Sequence, residues 1–257
     1  MSFSNRLKAA RYAAMWHLLG STVVSLLLAV LVFGVWYPYP YRDLAGGLVL
    51  FGLVVGVDLV CGPLLTLVLF NPEKRHIALL CDLGLVVSIQ LAALGYGLWS
   101  VSVARPVHVV FEVDRFRLIT ASEINAVDLR EAPESLRKLP WFGPTLISVR
   151  NPRNGDEFLK SLDLSLAGQE PSLRPSWWQD YAAGLPQVLQ RAQPLATLVR
   201  AYPEKKALFE DVMRKSSLSE SDLLWLPLTS ARTMNWVVFL NRKNGNPQGY
   251  APIDGFL

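Results

Sequence analysis

Cysteine is nearly absent from this chain. Cys61 and Cys81 are the only two in 257 residues, and both fall inside or beside long apolar runs. The region from Arg105 onward therefore has no disulfide and must be held by its core alone. No C-x-x-C pair occurs, and His17, His76 and His108 are too scattered for a zinc site. No phosphate-cradling glycine loop and no G-x-S-x-G frame is present. No catalytic residue, metal or cofactor is expected, and the chain is not read as an enzyme. Net charge is +4, but much of the excess flanks the apolar runs, and no long basic run interleaved with aromatics follows. Nucleic acid is therefore not an expected partner. Internal repeats and low-complexity segments are also missing.

What is there is lopsided. Three apolar stretches, residues 17–36, 44–70 and 77–103, crowd into the first 104 residues. Each suffices to cross a hydrocarbon core about 30 Å thick. Arg6, Lys8 and Arg11 precede the first stretch, and Lys74 and Arg75 sit between the second and third. The intervening loop, Tyr37 to Asp43, carries one cation and one anion. The positive-inside rule then predicts a cytoplasmic N-terminus and an exported region 105–257. Trp16, Trp36, Tyr37, Tyr39, Tyr41 and Trp99 fall near span ends, where interfacial rings are expected. The first stretch is too long for a signal-peptide core and lacks an A-x-A-like site, so it reads as a retained span.

The exported region reads as α+β. Pro106–Ile119 alternates β-branched and aromatic residues with polar ones, which predicts a strand or a pair. Ala121–Leu139 is expected to be partly helical, and Thr145–Arg150 a short strand. Asp156 is read as an N-cap, with Phe158, Leu159, Leu162 and Leu166 on one buried helix face. Pro171–Pro175 reads as a linker, and Trp177, Trp178 and Tyr181 as a core patch. Helices are expected over Leu185–Leu198, Glu204–Lys215 and Ser219–Leu226. Asn235–Leu240 and Gln248–Ile253 form a hairpin with Gly245 in the turn. Glu112, Asp114 and Glu123 are read as a solvated face, and His108 as structural.

Polar residues inside the spans carry the functional signal. Asp58 falls near the middle of the second span, where a carboxylate costs about 2.5–3.5 kcal/mol and should face protein. Gln90 is as deep on the third span, so the two are placed to meet. His17 and Asp82 lie at similar heights and form a second candidate pair. Gly52-x-x-x-Gly56 and Gly84-x-x-x-Ser88-x-x-x-Ala92 are small-residue stripes that permit close helix approach. Cys61-Gly62-Pro63 is expected to kink the second span or disturb its ladder. The four polar residues read first as internal glue, with contact to a partner's membrane helix as the sharper alternative.

The order of motifs resembles a known family. Arg6-Leu7-Lys8-Ala9, His17-Leu18-Leu19-Gly20-Ser21 and Trp36-Tyr37-Pro38-Tyr39-Pro40 come first. Asp58-x-x-x-Gly62-Pro63-Leu64-Leu65-Thr66, Gln90-x-x-Ala93-Leu94-x-Tyr96-Gly97 and Phe111-Glu112-Val113-Asp114-Arg115-Phe116 follow. This layout is similar to the type IV pilin accessory proteins (the TfpX/TfpZ group) of Gram-negative bacteria, and is densest over residues 6–120. Cys61 departs from the branched apolar residue expected there. The resemblance implies a bacterial inner-membrane protein with a periplasmic C-terminal domain that assists pilin stability or pilus assembly. The implied partners are a type IV pilin and the lipid bilayer, with self-association left open. Candidate contacts for a partner helix are His17, Gly52, Gly56, Asp58, Gly84, Ser88 and Gln90. Trp236 and Tyr250 of the hairpin are the candidate periplasmic contacts. The alternative is a membrane-anchored periplasmic sensor or adaptor working through another protein.

Overall fold

Inside a bilayer each main-chain N–H must find its acceptor within the segment, so apolar runs of this length become helices. The computed structural model describes residues 3–257. Helix α1 spans Phe3–Leu31 and continues as a π-helical turn, Val32–Trp36. A single turn, α2 (Tyr41–Leu44), leads to α3 (Gly47–Leu69) and α4 (His76–Val103). Ser4–Trp36, Gly47–Leu69 and His76–Val103 are each long and apolar enough to cross a membrane. The protein is a membrane protein. The first helix begins well before His17 because the basic N-terminal segment is helical too. Helix α3 runs unbroken through Pro63.

Contacts divide the chain into two units. One holds the residues through Arg42 together with Gly46–Ala104, and the other Asp43–Ala45 with Arg105–Leu257. In the first unit α1 and α4 each pack along α3 and make little contact with each other. Tyr37, at the end of the first span, is fully buried within the protein, and its hydroxyl donates to the Val101 carbonyl at 2.9 Å. Its ring lies 2.4 Å from where a Cβ on Gly47 would sit, so only glycine fits there.

The second unit is built on an eight-stranded mixed sheet. The strands are β1 (Pro106–Glu112), β2 (Arg115–Thr120), β3 (Thr145–Val149), β4 (Trp178–Asp180), β5 (Gln193–Pro194), β6 (Leu223–Thr229), β7 (Trp236–Asn241) and β8 (Pro247–Ala251). Their order is β4-β3-β1-β2-β6-β7-β8, with β5 on β6. The β1–β3 and β2–β6 pairs are parallel, and the other pairs antiparallel. The helices are α5 (Gly155–Leu166), α6 (Tyr181–Arg191), α7 (Leu195–Ala201) and α8 (Lys206–Ser216). One core cluster joins Trp225, Phe239 and Ile253 to Leu198 and Phe209. Another joins Val107, Ile119 and Ile147 to Leu136 and Trp178. The chain is therefore a helical membrane unit followed by an α+β domain, as the composition implies.

Several local expectations fail for tertiary reasons. Ser219–Leu226 is not a helix. After a 3₁₀ turn at Glu220–Asp222 it becomes β6, a strand buried along nearly its whole length. A continuous apolar run does not distinguish a buried strand from a buried helix. Ala121–Leu139 forms three short 3₁₀ turns. The cap of α5 is Asn154, whose Oδ1 accepts from the Glu157 N–H at 2.8 Å, not Asp156.

The largest difference is the rotation of α5. Phe158, Leu159, Leu162 and Leu166 are exposed, Leu166 at 81%. Ser161 and Ser165 face inward because the buried Arg174 guanidinium needs acceptors. Its Nη1 donates to Ser161 Oγ at 2.8 Å, and its Nη2 to the Ser161 carbonyl at 2.9 Å and Ser165 Oγ at 3.0 Å. Its Nε donates to the Gln169 carbonyl at 2.9 Å.

Candidate functional site: a polar floor between membrane helices

Asp58 is the twelfth residue of the 23-residue α3, at mid-helix. Gln90 occupies the matching level of α4. The structure brings them together: Gln90 Nε2 donates to Asp58 Oδ1 at 3.2 Å and to the Asp58 carbonyl at 3.4 Å. Both are buried, each 9% exposed. Gln90 Oε1 is buried and has no hydrogen-bond partner among the described residues. Gly62, one turn beyond Asp58, makes the approach feasible, since a Cβ there would lie 1.9 Å from Gln90 Nε2. Gly97 does the same service lower on the pair, where a Cβ would meet Val54 at 2.6 Å.

His17 does not pair with Asp82. Its Nδ1 shares a hydrogen bond of 2.6 Å with Thr66 Oγ1, fastening α1 to α3. Asp82 pairs with Lys74 instead. Thr66 and Gly62 lie at i+8 and i+4 from Asp58, so one helical face carries all three. That spacing was visible in the sequence, but without the facing helices nothing marked Thr66 as His17's partner.

A trough of about 210 Å³ opens between α1 and α4. Its lining includes His17, Gly20, Ser21 and Val24 from α1, Asp58 from α3, and Val87, Gln90, Leu91 and Leu94 from α4. The walls are apolar and the floor polar. The small-residue stripes lie elsewhere. Gly52, Gly56, Gly84 and Ser88 are all exposed, and a Cβ on any of the three glycines would meet nothing within 4 Å. Ser88 Oγ donates back to the Gly84 carbonyl at 2.8 Å. The close helix contacts are made by Gly62 and Gly97, not by the stripes.

In the α+β domain, Trp236 opens β7 opposite Leu228 and is buried at 8% exposure. Tyr250 is half-buried on the outermost strand, opposite Val238. Trp177 is flanked by the Arg150 and Arg174 guanidinium groups, 4.6 and 5.3 Å from its ring centroid. A surface cavity of about 540 Å³ lies beside it, with Lys160, Glu123 and Asp128 on its rim. Glu112 is not on a solvated face. It is 3% exposed and accepts from the Ser172 N–H at 2.9 Å. Burial pushes its carboxyl above the ordinary range, and neighbouring Glu170 adds to the rise. Burial alone would also raise Glu170, but its pairing with Arg117 outweighs this and holds it low. His108 shares a 2.7 Å hydrogen bond with Thr145 Oγ1 and meets Trp178 edge-on at 4.9 Å. Burial lowers its pKa to about 4, so it is neutral and structural. Among the described residues no group of three or more His, Cys, Asp or Glu side chains is placed to hold a metal ion.

These features define a class: a helical membrane protein with a buried carboxyl–carboxamide pair inside its membrane unit and an α+β domain appended. More particularly, the chain belongs to the fimbrial assembly protein family. The family model described as fimbrial assembly protein FimB matches residues 5–46. The fimbrial assembly protein of Dichelobacter nodosus serogroup I is 37% identical over 241 residues, 93% of each chain. The serogroup E1 protein of the same organism matches to the same extent. The protein of serogroups C1 and C2 is 46% identical over 116 residues, 45% of this chain and 88% of its own. No solved structure matches. Membership agrees with the resemblance carried by the Asp58-to-Thr66 and Gln90-to-Gly97 elements.

Proposed function

We propose that this protein is an inner-membrane pilus-assembly factor that binds a type IV pilin subunit before polymerisation, using its membrane helices and its periplasmic domain. The relatives are fimbrial assembly proteins by name, which supports the process. The distribution of Arg6, Lys8, Arg11, Lys74 and Arg75 supports a cytoplasmic N-terminus. The observation that carries the binding reading is the trough between α1 and α4, an intramembrane surface with a polar floor and no occupant within the described chain. A pilin waiting in the membrane offers one apolar helix and an exported head. The spans match the first, and the outermost strand β8 is a candidate platform for the second. His17, on the trough wall, is suited to neutralise an acidic group on the incoming helix.

Affinity capture of the tagged full-length protein from gently solubilised membranes tests this. Pilin should co-purify, and deletion of the gene should lower surface pili and be restored by the intact gene. Absence of pilin from the capture, together with unchanged piliation, overturns the reading. A His17→Ala protein that retains pilin at full strength removes the role given to His17.

A further inference from the structure

The strand register gives the α+β domain two distinct ends. Strand β1 begins at Pro106, opposite Thr120, the last residue of β2. Strand β3 runs parallel to β1 with Thr145 level with His108, so the segment 140–144 that leads into it lies at the end where β1 begins. Strand β6 runs parallel to β2, so the loop 230–235 leaves it at that same end. Both chain connections to the spans depart from there. Arg105 stands two residues beyond Val103, the last residue of α4, which is about 7 Å of chain at most. Ser230 Oγ donates to the Leu44 carbonyl at 2.7 Å, and Leu44 stands three residues before Gly47, the first of α3.

Two aromatic side chains project at this end. Phe142 is 82% exposed, more than any other large apolar side chain among the described residues, and Trp141 is 57% exposed. Their turn is stiff: Pro140 and Pro144 flank it, and Gly143 takes a φ of +59°. Arg105 Nε donates to the Pro140 carbonyl at 3.2 Å, and the guanidinium lies 4.3 Å from the Trp141 ring centroid. The first residues after α4 therefore hold the turn in place. Met234, 54% exposed, tops the neighbouring loop. Exposed rings gain nothing from water, whereas Trp beside a spanning helix settles at headgroup level. Arg137 and Lys138 precede the rings and are exposed, but Glu131 and Glu134, exposed on the preceding turns, offset their charge. Ring burial and not net charge is thus the favourable term.

We infer that Trp141 and Phe142 form a lipid-binding finger. The two rings enter the boundary between headgroups and acyl chains of the adjacent leaflet, and hold this end of the sheet against the membrane surface. The occupant is phospholipid because two separate tethers bring this end within three residues of spanning helices. The polar layer on each side of the hydrocarbon core is about 5–7 Å thick, comparable to the chain from Val103 to Arg105. The inference concerns the bilayer alone. It stands whether or not the pilin reading holds, and on whichever side of the membrane the domain lies.

The test uses the full-length protein, reconstituted into vesicles of phosphatidylethanolamine and phosphatidylglycerol. A photoreactive residue replaces Phe142. The same residue in place of Phe158 is the control, because Phe158 is 55% exposed on α5, which follows the far end of β3. Neither side chain is part of the core, so both variants keep the fold. Mass spectrometry should find the mass of one phospholipid added at position 142 and none at 158. The adduct should persist in vesicles of phosphatidylcholine alone and at high salt, since screening acts on charge and not on ring burial. Its loss under either condition overturns ring burial as the driving term. Capture of water alone at position 142, or equal lipid adducts at both positions, overturns the finger. The same pair of variants is then irradiated in native membranes. A lipid adduct at 142 supports the finger there too, and a protein adduct in its place overturns the lipid assignment in favour of a protein-docking surface.

Discussion

Gln90 reaches across from α4 to Asp58 on α3 and bonds it twice, at the carboxyl oxygen and at the main-chain carbonyl. The second bond matters because it brings a side chain against a helix backbone, which only a glycine one turn away permits.

Gly62→Ala should therefore lower the thermal stability of the detergent-solubilised protein by about 1 kcal/mol, the scale of one interhelical hydrogen bond in a membrane. In a Gln90→Ala background the same change should be neutral or stabilising, since alanine is the better helix former. Equal destabilisation in both backgrounds would remove the link between the two residues.

The outward stripes lead to the opposite expectation. Gly56→Ala and Gly84→Ala should leave thermal stability unchanged or raise it by up to about 1 kcal/mol, because a Cβ at either position meets nothing within 4 Å. A drop in melting temperature would show that these faces are packed within the solubilised particle.

Arg174→Lys should detach α5. Lysine keeps the charge but cannot span Ser161, Ser165 and the Gln169 carbonyl with one planar fork. A loss of about 2–3 kcal/mol is expected from the unmet acceptors. Limited proteolysis should cut first in the Asn151–Asn154 loop; an unchanged cleavage pattern would sink the idea.

The pH profile should have a limb on each side. His108 has a folded pKa of about 4 against an unfolded 6.5, so between these values the unfolded chain binds more protons. Stability then falls as pH drops from 6.5 toward 4, by at most about 3 kcal/mol. Glu112 acts in the other direction: its raised pKa gives stability that is full below the unfolded value of 4.5 and is lost as pH rises through the folded one. His108→Asn should flatten the acid limb in thermal melts and leave the other in place. An unaltered acid limb would assign the loss to other groups.

Much of this was legible beforehand, and the failures share a cause. Asp58 and Gln90 announced themselves because a polar residue in an apolar run has few explanations, and their depths could be counted from the span ends. The terminal hairpin was readable from Gly245, whose φ of +66° is what the turn needs. The stripe on α5 was misread because periodicity gives the face and not its direction; that was decided by Arg174, eight residues beyond the helix. Leu223–Leu228 was misread because buried strands and buried helices share a composition. His17 bonds Thr66 and Lys74 holds the Asp82 carboxylate, pairings that depth along the spans alone does not reveal.

The rotation of α5 separates two tasks that most amphipathic helices combine. What holds the helix to its domain includes polar bonds to two guanidinium groups, Arg174 at Ser161 and Ser165 and Arg150 at Glu157, and none of them involves Phe158, Leu159, Leu162 or Leu166. Those four positions are released from the duty of folding. Substitution there leaves those bonds untouched, so this face can be rewritten while the scaffold beneath it stays the same.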